Sequence, residues 1–441
     1  STAPVQTPPS VTVTQTSVSA LAGDKLETIK DEATAVEAVK SIIENLSVEH
    51  KEDVAETDML TVFSEEAVAQ AASVIFSGGG VTVNANNTLR LQAQAESVKN
   101  ALKKAVTDAD IDLIRDINAD IKFKTGKTDK LTITIVPSAA DIIKDNLRVE
   151  AENFTVSIPK EAIVKGTKSG NLVITVEEIV SSANREVKYK VSMSQQLNDN
   201  IKYSFPVAAG DPIYQAVFRS DGTPVGGKYN PLTKKIDTRI RADDTYEVKE
   251  NKRDFRDIAN KSAPMQESIR ILASKGIING TSADEFSPDA PITRAEIAAL
   301  IVRTLSRLDD NADGGFNDVN RSDWFFGAIG SAKDYGIIQG TSATTFEPRS
   351  QILKEQIIAI AARTLRNEMK WLPLSPAQRD MSLRLFTDRD SLPSWGIDDF
   401  ALASTAKFVV PDAADGRFNP KATMSRGDAA VILYNLFMKI W

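Results

Sequence analysis

Three short stretches place a cation beside a predicted helix start. They read Thr293-Arg294-Ala295-Glu296, Leu353-Lys354-Glu355-Gln356 and Ser425-Arg426-Gly427-Asp428. A helix N-terminus presents free N–H groups and the positive end of its dipole, so it favours anions. An arginine one residue into that helix can fork onto a carboxylate. Thr293 and Glu296 form a T-x-x-E capping box, which accounts for them without any ligand; Ser425 and Asp428 are a close relative of it. Arg294 and Arg426 are not needed for capping, so they are candidates for a ligand contact or for an ion pair between repeats. Lys354 lacks the guanidinium fork and Leu353 has no capping oxygen, which leaves the middle stretch the doubtful one.

Other chemistries fall away by composition. The chain has 441 residues, no cysteine and one histidine. Thiol nucleophiles, cysteine zinc sites and disulfides are thereby excluded. His50 lies in SVEHKED and reads as a solvated surface residue. A serine triad could use only His50, and no G-x-S-x-G accompanies it. Asp309, Asn311, Asp313 and Gly314 match the first half of a D-x-N-x-D-G calcium loop, but position twelve is Asn320. A polar turn is the plainer reading, with calcium as the alternative and no other cofactor expected. The net charge of −7, with both signs interspersed, argues against nucleic acid. No apolar run approaches a membrane span. No signal peptide is visible, and a trimmed protein would have lost one.

The cationic stretches sit in a repeat. GIINGTSADEFSPDAPITRAEIAALIVRTL (276–305) returns as GIIQGTSATTFEPRSQILKEQIIAIAARTL (336–365) and, worn, as FVVPDAADGRFNPKATMSRGDAAVILYNLF (408–437). Gly276 suits a helix C-cap with positive φ. Ile297, Leu300, Ile301, Leu305 and Leu308 follow Thr293 at helical spacing. Each unit therefore reads helix, structured loop, helix, and is too small to bury its own apolar face alone. Ahead of the units stand Phe255-Arg256-Asp257, Phe316-Asn317-Asp318 and Phe386-Thr387-Asp388, an F-x-D signal. Trp324 and Trp395 follow the last two; Ala263 and Pro264 hold that place in the first.

F-x-D, W, GIxxG, FxP and ITRAE together resemble the S-layer homology (SLH) module of bacterial surface proteins. The resemblance runs from Phe255 to Trp441, a little over two fifths of the chain. It implies an all-α pseudo-threefold bundle in residues 251–441, with repeats at about 255–308, 316–369 and 386–441. It also implies non-covalent binding to secondary cell-wall polysaccharide, commonly carrying pyruvylated sugars. A pyruvyl ketal supplies the carboxylate that the helix-start cations would meet. Candidate glycan contacts are Arg294, Arg426 and Lys354, with Gly280 and Gly340 letting a sugar near the backbone. Trp324 and Trp395 serve as core residues or as sugar platforms. Asp257, Asp318 and Asp388 cap helices or line the grooves.

Upstream, residues 1–20 are rich in Ser, Thr and Pro and read as a flexible segment, although Val11 and Val13 alternate as a strand would. Residues 21–117 carry helical periodicity, interrupted by Gly78-Gly79-Gly80, and read as a small helical domain. From 118 to 250 the period becomes two, as in LTITIV (131–136) and at Val187, Tyr189, Val191 and Met193. Short alternating strands with frequent turns point to an antiparallel β-sandwich. The whole is an α+β multidomain chain. The expected function is non-enzymatic: an extracellular surface protein anchored to wall glycan. Alternatives are a self-assembling S-layer lattice subunit, with other surface subunits as partners, and a surface enzyme carrying the repeats as its anchor.

Overall fold

In the computed structural model, residues 17–183, 185–197, 201–412 and 414–440 are described. They form two compact units, one ending at Asn251 and one beginning at Lys252. The sequence-based readings of residues 1–16, the Val11–Val13 strand among them, lie outside the described residues. Residues 17–22 are helical, and the N–H groups of Ser17 and Val18 both donate to the Glu56 carboxylate at 3.0 Å.

The upstream unit combines helices with two mixed sheets. Its strands are β1 (Ser73–Ile75), β2 (Gly80–Val83), β3 (Ile121–Lys124), β4 (Lys130–Ile135), β5 (Asn146–Glu150), β6 (Thr155–Pro159), β7 (Leu172–Val180), β8 (Val187–Met193), β9 (Ile201–Pro206), β10 (Gln215–Arg219), β11 (Lys228–Asn230), β12 (Lys235–Ile240) and β13 (Asp244–Glu250). One sheet runs β1-β3-β5-β6-β9-β12-β11 and the other β10-β13-β8-β7-β4-β2.

Two expectations are corrected here. The sheets are not purely antiparallel: β1 pairs with β3, β3 with β5 and β2 with β4 in parallel. Nor is the stretch before residue 117 purely helical, because β1 and β2 lie inside it, with Gly78 and Gly79 turning between them and Gly80 opening β2. Strands of three and four residues are too short to display a period against the long helices Val54–Ala71 and Ala85–Thr107 on either side. A single apolar core runs across residue 117, joining Val39, Phe63 and Leu102 of the helices to Ile133, Ile174 and Tyr203 of the strands.

Helix Val54–Ala71 is also tied to the sheet by buried charge. Arg115 pairs with Asp58 at 3.0 Å and with Glu65 at 2.5 Å, and Arg148 pairs with Glu66 and Asp120. Burial pushes the Glu65 carboxyl up, against the pull of Arg115. Burial would lower the Arg148 guanidinium, but Glu66 and Asp120 outweigh it and raise it.

The unit from Lys252 onward is helical: Ala263–Ser274, Arg294–Thr304, Phe326–Asp334, Lys354–Met369, Pro376–Leu383, Ile397–Thr405 and Arg426–Ile440. Gly276 and Gly336 end their helices at φ 70° and 72°, as the C-cap reading requires, and Lys407 adopts φ 60° at the matching place in the third repeat. Helix Pro376–Leu383 lies between the second and third repeats and has no counterpart in the repeat pattern. Its start is a Ser375/Gln378 capping box.

The loops of the three repeats close on one another. Ile292 donates its N–H to Met424 O (3.2 Å), Met424 to Ile352 O (3.1 Å) and Ile352 to Ile292 O (3.1 Å). This closed cycle of backbone bonds sets where the cationic helix starts are aimed.

Candidate functional site

Each F-x-D motif builds the loop of its own repeat. The rings of Phe255 and Phe286 are 5.7 Å apart, those of Phe316 and Phe346 5.4 Å, and those of Phe386 and Phe418 5.7 Å. The aspartate two residues on holds the loop backbone. Asp257 accepts the N–H groups of Phe286 (2.9 Å) and Ser287 (2.6 Å), Asp318 those of Phe346 (2.9 Å) and Glu347 (2.7 Å), and Asp388 those of Phe418 (2.7 Å) and Asn419 (2.9 Å). Burial would raise these carboxyls, but the backbone N–H groups outweigh it and hold all three below the ordinary aspartate range. Their reading as caps of the first helices is therefore corrected: each holds the loop of its own repeat.

Ser287, Glu347 and Asn419, which follow the loop phenylalanines, sit at φ 59°, 56° and 55°. That conformation is costly for a residue with a side chain. Nothing in the sequence marks it, and the aspartate bonds are what fix it.

The cations cross between repeats in the same cyclic sense. Arg294 of the first repeat donates to Phe346 O (2.8 Å) and Gln339 O (3.1 Å) of the second, with its guanidinium 4.5 Å from the Phe346 ring. Lys354 of the second donates to Phe418 O of the third (2.8 Å). Arg426 of the third donates to Phe286 O (3.1 Å) and Asn279 O (2.9 Å) of the first, and stands 3.5 Å from Glu296. Burial lowers the Arg294 guanidinium and the Lys354 ammonium. These cations clamp the neighbouring loop through its carbonyls, the outcome that capping arguments alone could not reach.

The caps are as read. Thr293 Oγ1 accepts the Glu296 N–H (3.3 Å) while Glu296 accepts the Thr293 N–H (2.8 Å), and Ser425 accepts the Asp428 N–H (3.1 Å). Leu353 supplies no oxygen; Gln356 Oε1 accepts the Leu353 N–H at 3.1 Å, which is half of a box.

Gly280 and Gly340 are required by packing. A Cβ on Gly280 would collide with the carbonyls of Ser282 and Glu285 and the Phe255 ring; one on Gly340, with those of Ser342 and Thr345 and the Phe316 ring. Trp324 and Trp395 are 64% and 55% exposed, so the core reading does not apply to them.

The residues of the calcium-loop pattern make local turns. Asp309 accepts the Asn311 N–H (2.9 Å) and Asp313 the Gly315 N–H (2.7 Å), as in Asx turns. The segment lies against helix Phe326–Asp334, where Gly327 and Gly330 leave room for the backbone of residues 309–313. Among the described residues no group of three or more His, Cys, Asp or Glu side chains is arranged to hold a metal ion.

A cleft of about 180 Å³ opens over the first-repeat loop. Asn279, Gly280, Glu296, Arg303, Trp324 and Arg426 are among the residues that line it. Arg303 was not singled out by the sequence, where it reads as one more exposed helix residue. Its spacing of seven from Glu296 was the available signal.

The S-layer homology domain family matches residues 254–298, 315–358 and 385–430. The chain is 26% identical over 380 residues to an amylopullulanase of Thermoanaerobacterium thermosulfurigenes, covering 82% of this chain and 20% of that protein. It is 30% identical over 186 residues to an exoglucanase of Acetivibrio thermocellus, 42% of this chain and 16% of the relative. It is 28% identical over 169 residues to a surface-layer 125 kDa protein of Lysinibacillus sphaericus, 38% of this chain and 13% of the relative. The chain thus spans a fifth or less of the length of these relatives. No helix among the described residues is long and apolar enough to cross a membrane. The chain carries three S-layer homology domains, which with its surface-layer relatives mark it as a cell-surface protein.

Proposed function

We propose that residues 252–441 hold this protein non-covalently on an anionic secondary cell-wall polysaccharide, with pyruvylated sugars as the preferred epitope, and that the chain itself is non-enzymatic. The closed cycle through Ile292, Met424 and Ile352 reads as a pseudo-threefold bundle, and the two upstream sheets as the layers of a sandwich. The observation that carries the glycan reading is the cleft beside Trp324. An exposed indole, the loop residues Asn279 and Gly280 and the cationic side chains of Arg303 and Arg426 line it together. Sugar rings stack on such a wall while a carboxylate meets the cation.

The test is sedimentation of the full chain with purified cell-wall sacculi, before and after the polysaccharide is stripped by acid, beside the Trp324→Ala variant. Binding lost on stripping and weakened several-fold in the variant is the expected result. Equal binding to stripped sacculi would rule the polysaccharide out.

The amylopullulanase similarity favours one further reading, since 82% of this chain is far more than the three domains occupy. On that reading the chain serves a surface enzyme acting on α-glucan, with the repeats as its anchor. Release of reducing sugar from pullulan by the full chain would establish it.

A further inference from the structure

Glu296, Leu300 and Arg303 line the cleft beside Trp324 from a single helix. Their spacing of four and three residues puts them on one face. Glu296 is occupied by the Thr293 cap and by Arg426. Arg426 in turn is held by two loop carbonyls and Glu296. Arg303 is exposed, and its side chain makes no hydrogen bond or ion pair among the described residues.

The second repeat differs at this point. Arg363 stands seven residues after Gln356, as Arg303 does after Glu296. There Asp399 accepts from Arg363 Nε at 3.0 Å and from Arg366 at 3.1 Å, and the Arg363 guanidinium lies 5.9 Å from the Trp395 ring. Asp399 is four residues beyond Trp395. Four residues beyond Trp324 stands Ala328, which cannot accept a hydrogen bond through its side chain. In the third repeat the residue matching Arg303 is Asn435, and in the first repeat Pro264 stands in the tryptophan place.

We propose that Arg303 is the residue that reads the acid group of the glycan, and that this chain has one acid-selective site, at the Trp324 cleft, rather than three. Arg294, Lys354 and Arg426 are positioning residues whose donors already serve loop carbonyls. Among the described residues, Arg303 alone of the cations lining this cleft has its side-chain donors free, and it lines the cleft with an exposed indole and no carboxylate paired to it. The inference rests on the glycan reading above.

The test is isothermal titration of the full chain with a methyl glycoside of a pyruvyl-ketal hexose and, separately, with its uncharged methyl ester. The wild type is expected to bind one acid per chain, about ten-fold more tightly than the ester, the scale of a charged hydrogen bond. Arg303→Gln should bring acid affinity down to that of the ester and leave the ester unchanged, and Arg303→Lys should recover part of the difference. Undiminished acid preference in Arg303→Gln, or two or three equivalent acid sites on the wild type, would overturn the proposal and leave the glycan reading standing. A wild type that takes neither sugar would overturn both.

Discussion

Asp318 accepts the N–H of Glu347 at 2.7 Å, and Glu347 is in the left-handed conformation at φ 56°. The carboxylate thus holds the loop of its own repeat in a shape that the chain would otherwise avoid. Asp318→Ala removes this bond and the one from Phe346. It should destabilise the repeat unit by about 2 kcal/mol. All four tryptophans lie at Trp324 or beyond, so denaturant unfolding followed by tryptophan fluorescence reads this unit directly.

Acid should loosen the same loops. Asp257, Asp318 and Asp388 titrate below their ordinary value of 3.8 when folded. A depressed carboxyl contributes stability that is fully present above the unfolded value and disappears as pH falls through the folded one. The fluorescence midpoint should therefore decline below about pH 4. The decline should be shallower in Asp318→Asn, which no longer titrates.

Arg294→Gln should cost stability whether or not glycan is present. It leaves the carbonyls of Phe346 and Gln339 without their donor in a site where Arg294 is itself buried. A loss of about 2 kcal/mol in urea unfolding is expected, with Arg294→Lys intermediate. An unchanged midpoint would mean that the clamp contributes nothing.

Gly340→Ala should destabilise the unit by about 1–3 kcal/mol, because the new methyl meets backbone carbonyls that cannot swing aside. Thermal unfolding of the variant checks this, and the same loss is expected of Gly280→Ala.

In the upstream unit, Arg115→Leu strands the carboxylates of Asp58 and Glu65, both buried. Removing one partner of a buried ion cluster costs about 3–5 kcal/mol. The far-UV circular dichroism transition should fall accordingly. The triple change with Asp58→Leu and Glu65→Leu should recover much of the loss.

The features legible in the sequence are those made by near neighbours along the chain. The Thr293/Glu296 cap, the Gly276 helix end and the helix–loop–helix unit depend on residues within a few positions of each other, so spacing alone specifies them. Three copies of that spacing also announced a shared assembly and the family. The β1 and β2 strands stayed hidden because three or four residues show no period, and their partners lie about 50 residues away.

What the tertiary structure decided is where each cation goes. Arg426 closes on Phe286, 140 residues back, and no local rule distinguishes that from a free arginine waiting for a ligand. Whether Trp324 is buried or exposed depends on how the repeats meet. The contrast between Arg303 and Arg363 rests on Ala328 and Asp399, residues of other helices. Charge neutralisation acts through space at hydrogen-bond distances, and only the folded chain brings those residues within reach.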